Sequence, residues 1–147
     1  MMHYNWVLVL HLFAAIAFVG TVFVEVVLIE GLHKQLSKPQ MTMLESALAN
    51  RSVRVMPWVI GLLFGTGLTL AWSYRDALAQ PLASSFSILL VCKITLALSV
   101  LTHIATAMWW RLHGRLNGQR SRRLHYNVFA HVVVIVFLAK AMFFVSW

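Results

Sequence analysis

The stretch Val7-Leu8-Val9-Leu10-His11-Leu12-Phe13-Ala14-Ala15-Ile16-Ala17-Phe18-Val19-Gly20-Thr21-Val22-Phe23-Val24-Glu25-Val26-Val27-Leu28-Ile29 decides the fold. Only His11 and Glu25 in it can ionise. As a helix rising about 1.5 Å per residue it is long enough to cross a hydrocarbon core of about 30 Å. Three stretches of the same character follow at 55–74, 82–110 and 126–147. Spans at about 5–31, 54–74, 82–110 and 126–147 use nearly all of the 147 residues, so the expected fold is all-α, one integral-membrane four-helix bundle without a separate soluble domain. Composition agrees. Hydrophobic residues make up 61% of the chain, against roughly 45–50% in a soluble domain. Twelve Lys+Arg and four Asp+Glu are too few to cover a water-facing surface, which excludes an ordinary soluble enzyme.

A net charge of +8 raises the question of nucleic acid, and the position of the charges answers it. Lys34, Lys38, Arg51 and Arg54 flank the first connection. Arg111, Arg115, Arg120, Arg122 and Arg123 lie in the third, and the second has only Arg75. The first and third connections share a side in a four-span chain. The positive-inside rule then places both in the cytoplasm and both termini outside. Arginines at that depth sit among lipid headgroups, and nucleic acid is not expected as a partner.

The first six residues have no basic start and no small-residue cleavage pattern follows, so the first span reads as retained. Cys92 has no partner cysteine and reads as a small buried packing residue. The longest connection runs over 31–50, and the helical spacing of Leu44, Ala47 and Leu48 predicts that part of it lies at the interface or extends the second helix. Pro57 suits a first turn or a mild kink. Gly61 and Gly65, with Gly67 after them, form a small-xxx-small face that allows another helix to approach closely, either in plain packing within the chain or from a second copy or a larger membrane complex. Trp6, Trp58, Trp72, Trp109, Trp110 and Trp147 all fall near span ends, at headgroup level.

Chemistry is expected from the ionisable residues inside the spans: His11, Glu25, Lys93, His103, His131 and Lys140. His103 precedes Arg111 by eight residues and His131 follows Arg123 by eight, so both lie roughly 12 Å inside the cytoplasmic edge. Glu25 falls at a similar level. His11, Lys93 and Lys140 belong to the outer half. Fourteen residues separate His11 from Glu25, which leaves them about 40° apart on one helical face, shared with Ala14, Ala15, Phe18 and Val22. Ser99, His103 and Thr106 form a weakly polar stripe on the third span, and Asn127 shares the face of His131. Lys140 points the other way, as a snorkelling residue would. His3, His33, His113 and His125 read as surface residues.

Two imidazoles at matched depth on neighbouring antiparallel helices are what a b-type haem needs for its axial positions. Arg111, Arg115, Arg122 and Arg123 could meet the propionates. His11 would serve a second haem or metal. The alternatives from the same residues are a 2-His-1-carboxylate site of His103, His131 and Glu25, and histidines that only hydrogen-bond neighbouring helices. Glu25 and Lys93 are candidates for proton transfer, and for Glu25 a simple contact with one of the histidines is the alternative.

The chain resembles a divergent member of the HemJ-type protoporphyrinogen IX oxidases and their CopD-like relatives, small bacterial four-helix membrane proteins. The residues that carry the resemblance are Trp6, Leu10-His11-Leu12 and Gly20 in the first span, and Arg54-Val55-Met56-Pro57 leading to Gly67-Leu68-Thr69-Leu70-Ala71-Trp72 in the second. Lys93 and His103 in the third and Asn127 in the fourth complete them. The resemblance implies the bacterial cytoplasmic membrane, b-type haem and the oxidase site associated with His11 and Lys93, and a porphyrin substrate, while a membrane quinone is the electron partner expected of the haem reading. Through the CopD-like relatives it also implies copper handling, with Met1, Met2 and His3 outside and His11 within as a path. The chain departs from the family where Phe18 stands near a tryptophan and Glu25-Val26-Val27-Leu28 replaces a Leu-Pro-Arg run. It departs again where Val128-Phe129-Ala130-His131 follows Asn127. The expectation drawn from all of this is a membrane haem protein moving electrons, with His103 and His131 as axial ligands. Copper transport or resistance is one alternative, and an accessory subunit of a larger respiratory complex, packing through Gly61 and Gly65, is the other.

Overall fold

The computed structural model describes residues 2–145, without the side chain of Met2, so Met1 and Trp147 lie outside the described residues. Every regular element among them is helical: α1 (Met2–Phe23), a π-helical turn (Val24–Ile29), α2 (Glu30–Leu32), α3 (Lys38–Ser73), α4 (Arg75–Ala79), α5 (Ser85–Leu112) and α6 (Gly118–Ala141). Four helical stretches are long and apolar enough to cross a membrane: His3–Leu32, Lys38–Ser73, Ser85–Leu112 and Gly118–Ala141. The chain divides into two compact units, Met1–Ser73 and Tyr74–Trp147.

The first unit is an antiparallel pair in which α1 packs on α3. Ala14, Phe18, Val22 and Val26 are buried along one side of the first span. Their spacing of four residues is the repeat at which a helix presents one stripe to a neighbour. The π-helical turn follows, a wider local winding that is frequent at functional sites. On the partner helix, Met41 and Thr66 are buried. The connection between the pair is only 33–37, because α3 begins at Lys38 and runs for 36 residues through Pro57. The stretch expected to lie at the interface or extend the second helix therefore does the latter. Pro57 sits within α3 and cannot donate to the carbonyl four residues before it.

In the second unit α5 packs antiparallel to α6. Leu90 and Val100 are buried on one helix, Val128 and Val132 on the other. At one end Ser85 Oγ donates to the Val145 carbonyl at 2.9 Å, and Phe86 lies between Tyr74 and Phe143. At the other end α5 closes with Gly114 at φ +62°, Arg115 N–H on the Trp110 carbonyl and Gly114 N–H on that of Arg111. That pattern is a Schellman turn, which needs a residue without Cβ at its left-handed position. Helix α6 starts at Gly118, eight residues before the expected boundary, because Asn117 Oδ1 caps it by accepting from Arg120 N–H at 2.8 Å. Arg120, Arg122 and Arg123 are therefore helical residues. The expected burial of Cys92 is corrected: its position on α5 leaves it exposed.

Candidate metal centre

His103 and His131 face each other across the α5–α6 pair, with ring centres 5.3 Å apart and planes inclined at 53°. Each ring is fixed by its own helix. His103 Nδ1 lies 2.7 Å from the Ser99 carbonyl, and His131 Nδ1 lies 2.7 Å from that of Asn127, both four residues upstream. A carbonyl oxygen can only accept, so Nδ1 carries the proton in both rings. In the neutral imidazole the lone pair is then on Nε2, the arrangement that orients a histidine as a ligand. His131 Nε2 accepts from Ser99 Oγ at 3.1 Å. Ser99 thus touches both histidines, through its carbonyl and through its hydroxyl. Thr102 and Thr106 direct their hydroxyls to carbonyls on their own helix, which takes Thr106 out of the expected polar stripe as a donor to anything else.

His11 is held differently. Its Nδ1 lies 3.0 Å from the Leu63 carbonyl and 3.1 Å from Thr66 Oγ1, both on α3. Thr66 gives its own proton to the Leu62 carbonyl at 2.6 Å, leaving its oxygen to accept from His11. The ring rests on Gly67, where a Cβ would come within 3.2 Å of His11 Cε1. No Cβ at Gly61 or Gly65 would meet anything within 4 Å among the described residues, so Gly67 is the glycine of that run that makes a close approach.

Glu25 stands in the π-helical turn, half-buried, on the side facing α3. It lines an open groove of about 330 Å³ with Gly20, Thr21, Leu48 and Ser52. Lys93 lies ten residues before His103 on α5, about 15 Å along the axis, and Lys140 is exposed in the last turn of α6. Arg111 ends α5 in an exposed position. Arg115 and Arg120 stack on Trp109 and Trp110, each with its guanidinium 5.3 Å from the ring centre, and Arg122 stacks on Tyr126. Arg123 is exposed on the first turns of α6. His33, expected at the surface, contacts Glu45 at 3.2 Å and Glu30 at 4.0 Å.

Among the described residues no three His, Cys, Asp or Glu side chains converge as a metal-binding group, and the second unit itself has no Asp or Glu after Asp76 to accompany the two imidazoles. Sequence reasoning did not anticipate the His11 contacts with Leu63 and Thr66, although Thr66 stands directly before the glycine on which the ring rests. The hydroxyl link from Ser99 to His131 was equally unforeseen. No family model, curated protein or solved structure matches this chain.

Proposed function

We propose that this chain is a multi-pass, CopD-like protein of the bacterial cytoplasmic membrane that binds copper inside the bilayer through His103 and His131 and handles it there, in transport or resistance. Four apolar helices support the membrane part of the reading. So do Leu12, Phe13, Leu68 and Phe137, large apolar side chains exposed along those helices. The nine cationic residues flanking the first and third connections favour the orientation with both termini outside.

The observation that carries the metal is the facing pair with both Nδ1 atoms held. With metal–nitrogen bonds of about 2.0–2.1 Å, two imidazoles on one ion at a tetrahedral angle have ring centres about 5 Å apart, and about 6 Å when opposed. The 5.3 Å separation suits the first case. Imidazole suits copper, and the d10 cuprous ion accepts a tetrahedral angle where the divalent ion prefers a tetragonal site. The competing b-type haem, with the same two residues as axial ligands, asks for opposed nitrogens with a porphyrin plane between them. Helices α5 and α6 touch, and Ser99 bridges to His131 across the gap, so one compact ion suits this pair better than a porphyrin.

Purified protein titrated with copper tests the reading. One tightly held copper per chain, lost on His103→Ala or His131→Ala, is the expected result. A preparation with a Soret band and split alpha and beta bands on reduction would favour haem instead. Copper retained in both variants would overturn the ligand assignment.

A further inference from the structure

We infer that the α5–α6 turn is a binding site for anionic phospholipid headgroups, the doubly charged cardiolipin foremost. The inference rests on the membrane-spanning reading but not on the copper. Five arginines fall between positions 111 and 123, and residues 77–147 contain no Asp or Glu at all. The one carboxylate of this unit, Asp76, lies 3.8 Å from Arg75, before the start of α5 and far from the turn. No acidic side chain of the unit therefore pairs with Arg115 or Arg120.

The cluster is nevertheless ordered. Trp109 and Trp110, on the last turn of α5, hold Arg115 and Arg120 by their faces, and Arg120 Nη1 donates to the Arg115 carbonyl at 2.8 Å. The Arg120 guanidinium is thereby held at the Arg115 backbone, and both guanidinium groups are fixed at the same end of α5 with most of their N–H donors unspent. Tryptophan prefers the headgroup level, so the same contacts set the arginines at the depth of lipid phosphates. Guanidinium binds phosphate through paired, charge-assisted hydrogen bonds, which makes the match one of geometry as well as of charge. Several neighbouring cations favour a headgroup with two phosphates over one with a single charge.

The test uses the full chain, purified in a mild detergent, stripped of lipid and titrated with cardiolipin, phosphatidylcholine or inorganic phosphate while retained lipid is read by native mass spectrometry. Cardiolipin should bind at least tenfold more tightly than phosphatidylcholine and resist displacement by millimolar inorganic phosphate. Arg115→Gln with Arg120→Gln should weaken it by about twenty- to thirtyfold, at roughly fivefold per basic residue. Arg75→Gln should leave it unchanged. Should the double glutamine variant not fold, Arg115→Lys with Arg120→Lys keeps the charge and should still lose several-fold, since an ammonium cannot make the paired bonds. Equal binding of phosphatidylcholine, displacement by inorganic phosphate or full retention in the variants would overturn the inference. Release of the chain from membranes by carbonate would instead sink the membrane reading beneath it.

Discussion

The first unit places one half-buried histidine between two packed helices and the second places two, and they send the Nδ1 proton to different helices. In the first, His11 on α1 gives its Nδ1 proton to α3, so the ring ties one helix to the other. In the second, His103 and His131 give theirs to carbonyls on their own helices, so neither of these bonds holds α5 to α6. A proton spent across a helix pair makes a structural staple. A proton spent within the helix fixes the ring without tying the helices, and because Nδ1 donates in all three histidines, what marks His103 and His131 is a second such ring 5.3 Å away on the packed neighbour, the arrangement of the proposed ligand pair. The contrast therefore separates residues that look alike in sequence, where all three are lone histidines in apolar spans.

Copper binding should break along that line. Replacing either His103 or His131 with alanine should weaken it on the order of 100-fold or more, because loss of a direct ligand should exceed the 10–100-fold typical of an outer-shell partner. His11→Ala should leave copper affinity within about twofold, and an equal loss there would erase the distinction between staple and ligand. Stability should break the other way. Gly67→Leu should destabilise the first unit by about 2–3 kcal/mol, since even a single Cβ would meet the His11 ring at 3.2 Å and that ring is tethered. His11→Ala should cost about 1 kcal/mol, the loss of one Nδ1 hydrogen bond shared between Leu63 and Thr66, within the roughly 0.6–1.7 kcal/mol found for interhelical hydrogen bonds in membranes. Unfolding in detergent by increasing SDS reads both, and a Gly67→Leu protein as stable as the parent would mean that the close approach is not needed.

Much of this architecture could be read from the sequence. Long apolar runs with few charges leave little choice but membrane-length helices, and depth counting placed His103 and His131 at one level, where the structure has their rings in contact. The boundaries were less legible, because apolar runs mark the part of a helix suited to lipid and not where the helix starts. Helix α6 starts at the Asn117 cap, amid arginines that hydropathy alone assigns to a loop. Helix α3 extends through polar residues and a proline for the same reason. The wheel at 100° per residue gave His11 and Glu25 a common face, and both do lie on the side of α3, but the π-helical turn that carries Glu25 has no signature in residue type. Hydrogen-bond direction was out of reach altogether. Whether a histidine donates to its own helix or to its neighbour depends on ring rotation and on which carbonyls the packing presents, and the spacing of His11, His103 and His131 carries neither.

The smallest of the expected effects probes Ser99, the one residue that touches both members of the ligand pair. Its hydroxyl donates to His131 Nε2, the atom assigned to the metal, so the bond must break when copper arrives. Its carbonyl, which orients His103, belongs to the backbone and survives any substitution. Ser99→Ala therefore removes a competitor for the lone pair without disturbing either Nδ1 anchor. A hydrogen bond of this kind is worth about 0.5–1.5 kcal/mol net, which corresponds to roughly two- to tenfold in affinity. Copper should bind Ser99→Ala more tightly by a factor in that range, with the fold and stoichiometry unchanged. A loss of affinity instead would mean that the hydroxyl is a third ligand and not a placeholder, and the two-imidazole centre would have to be redrawn around Ser99.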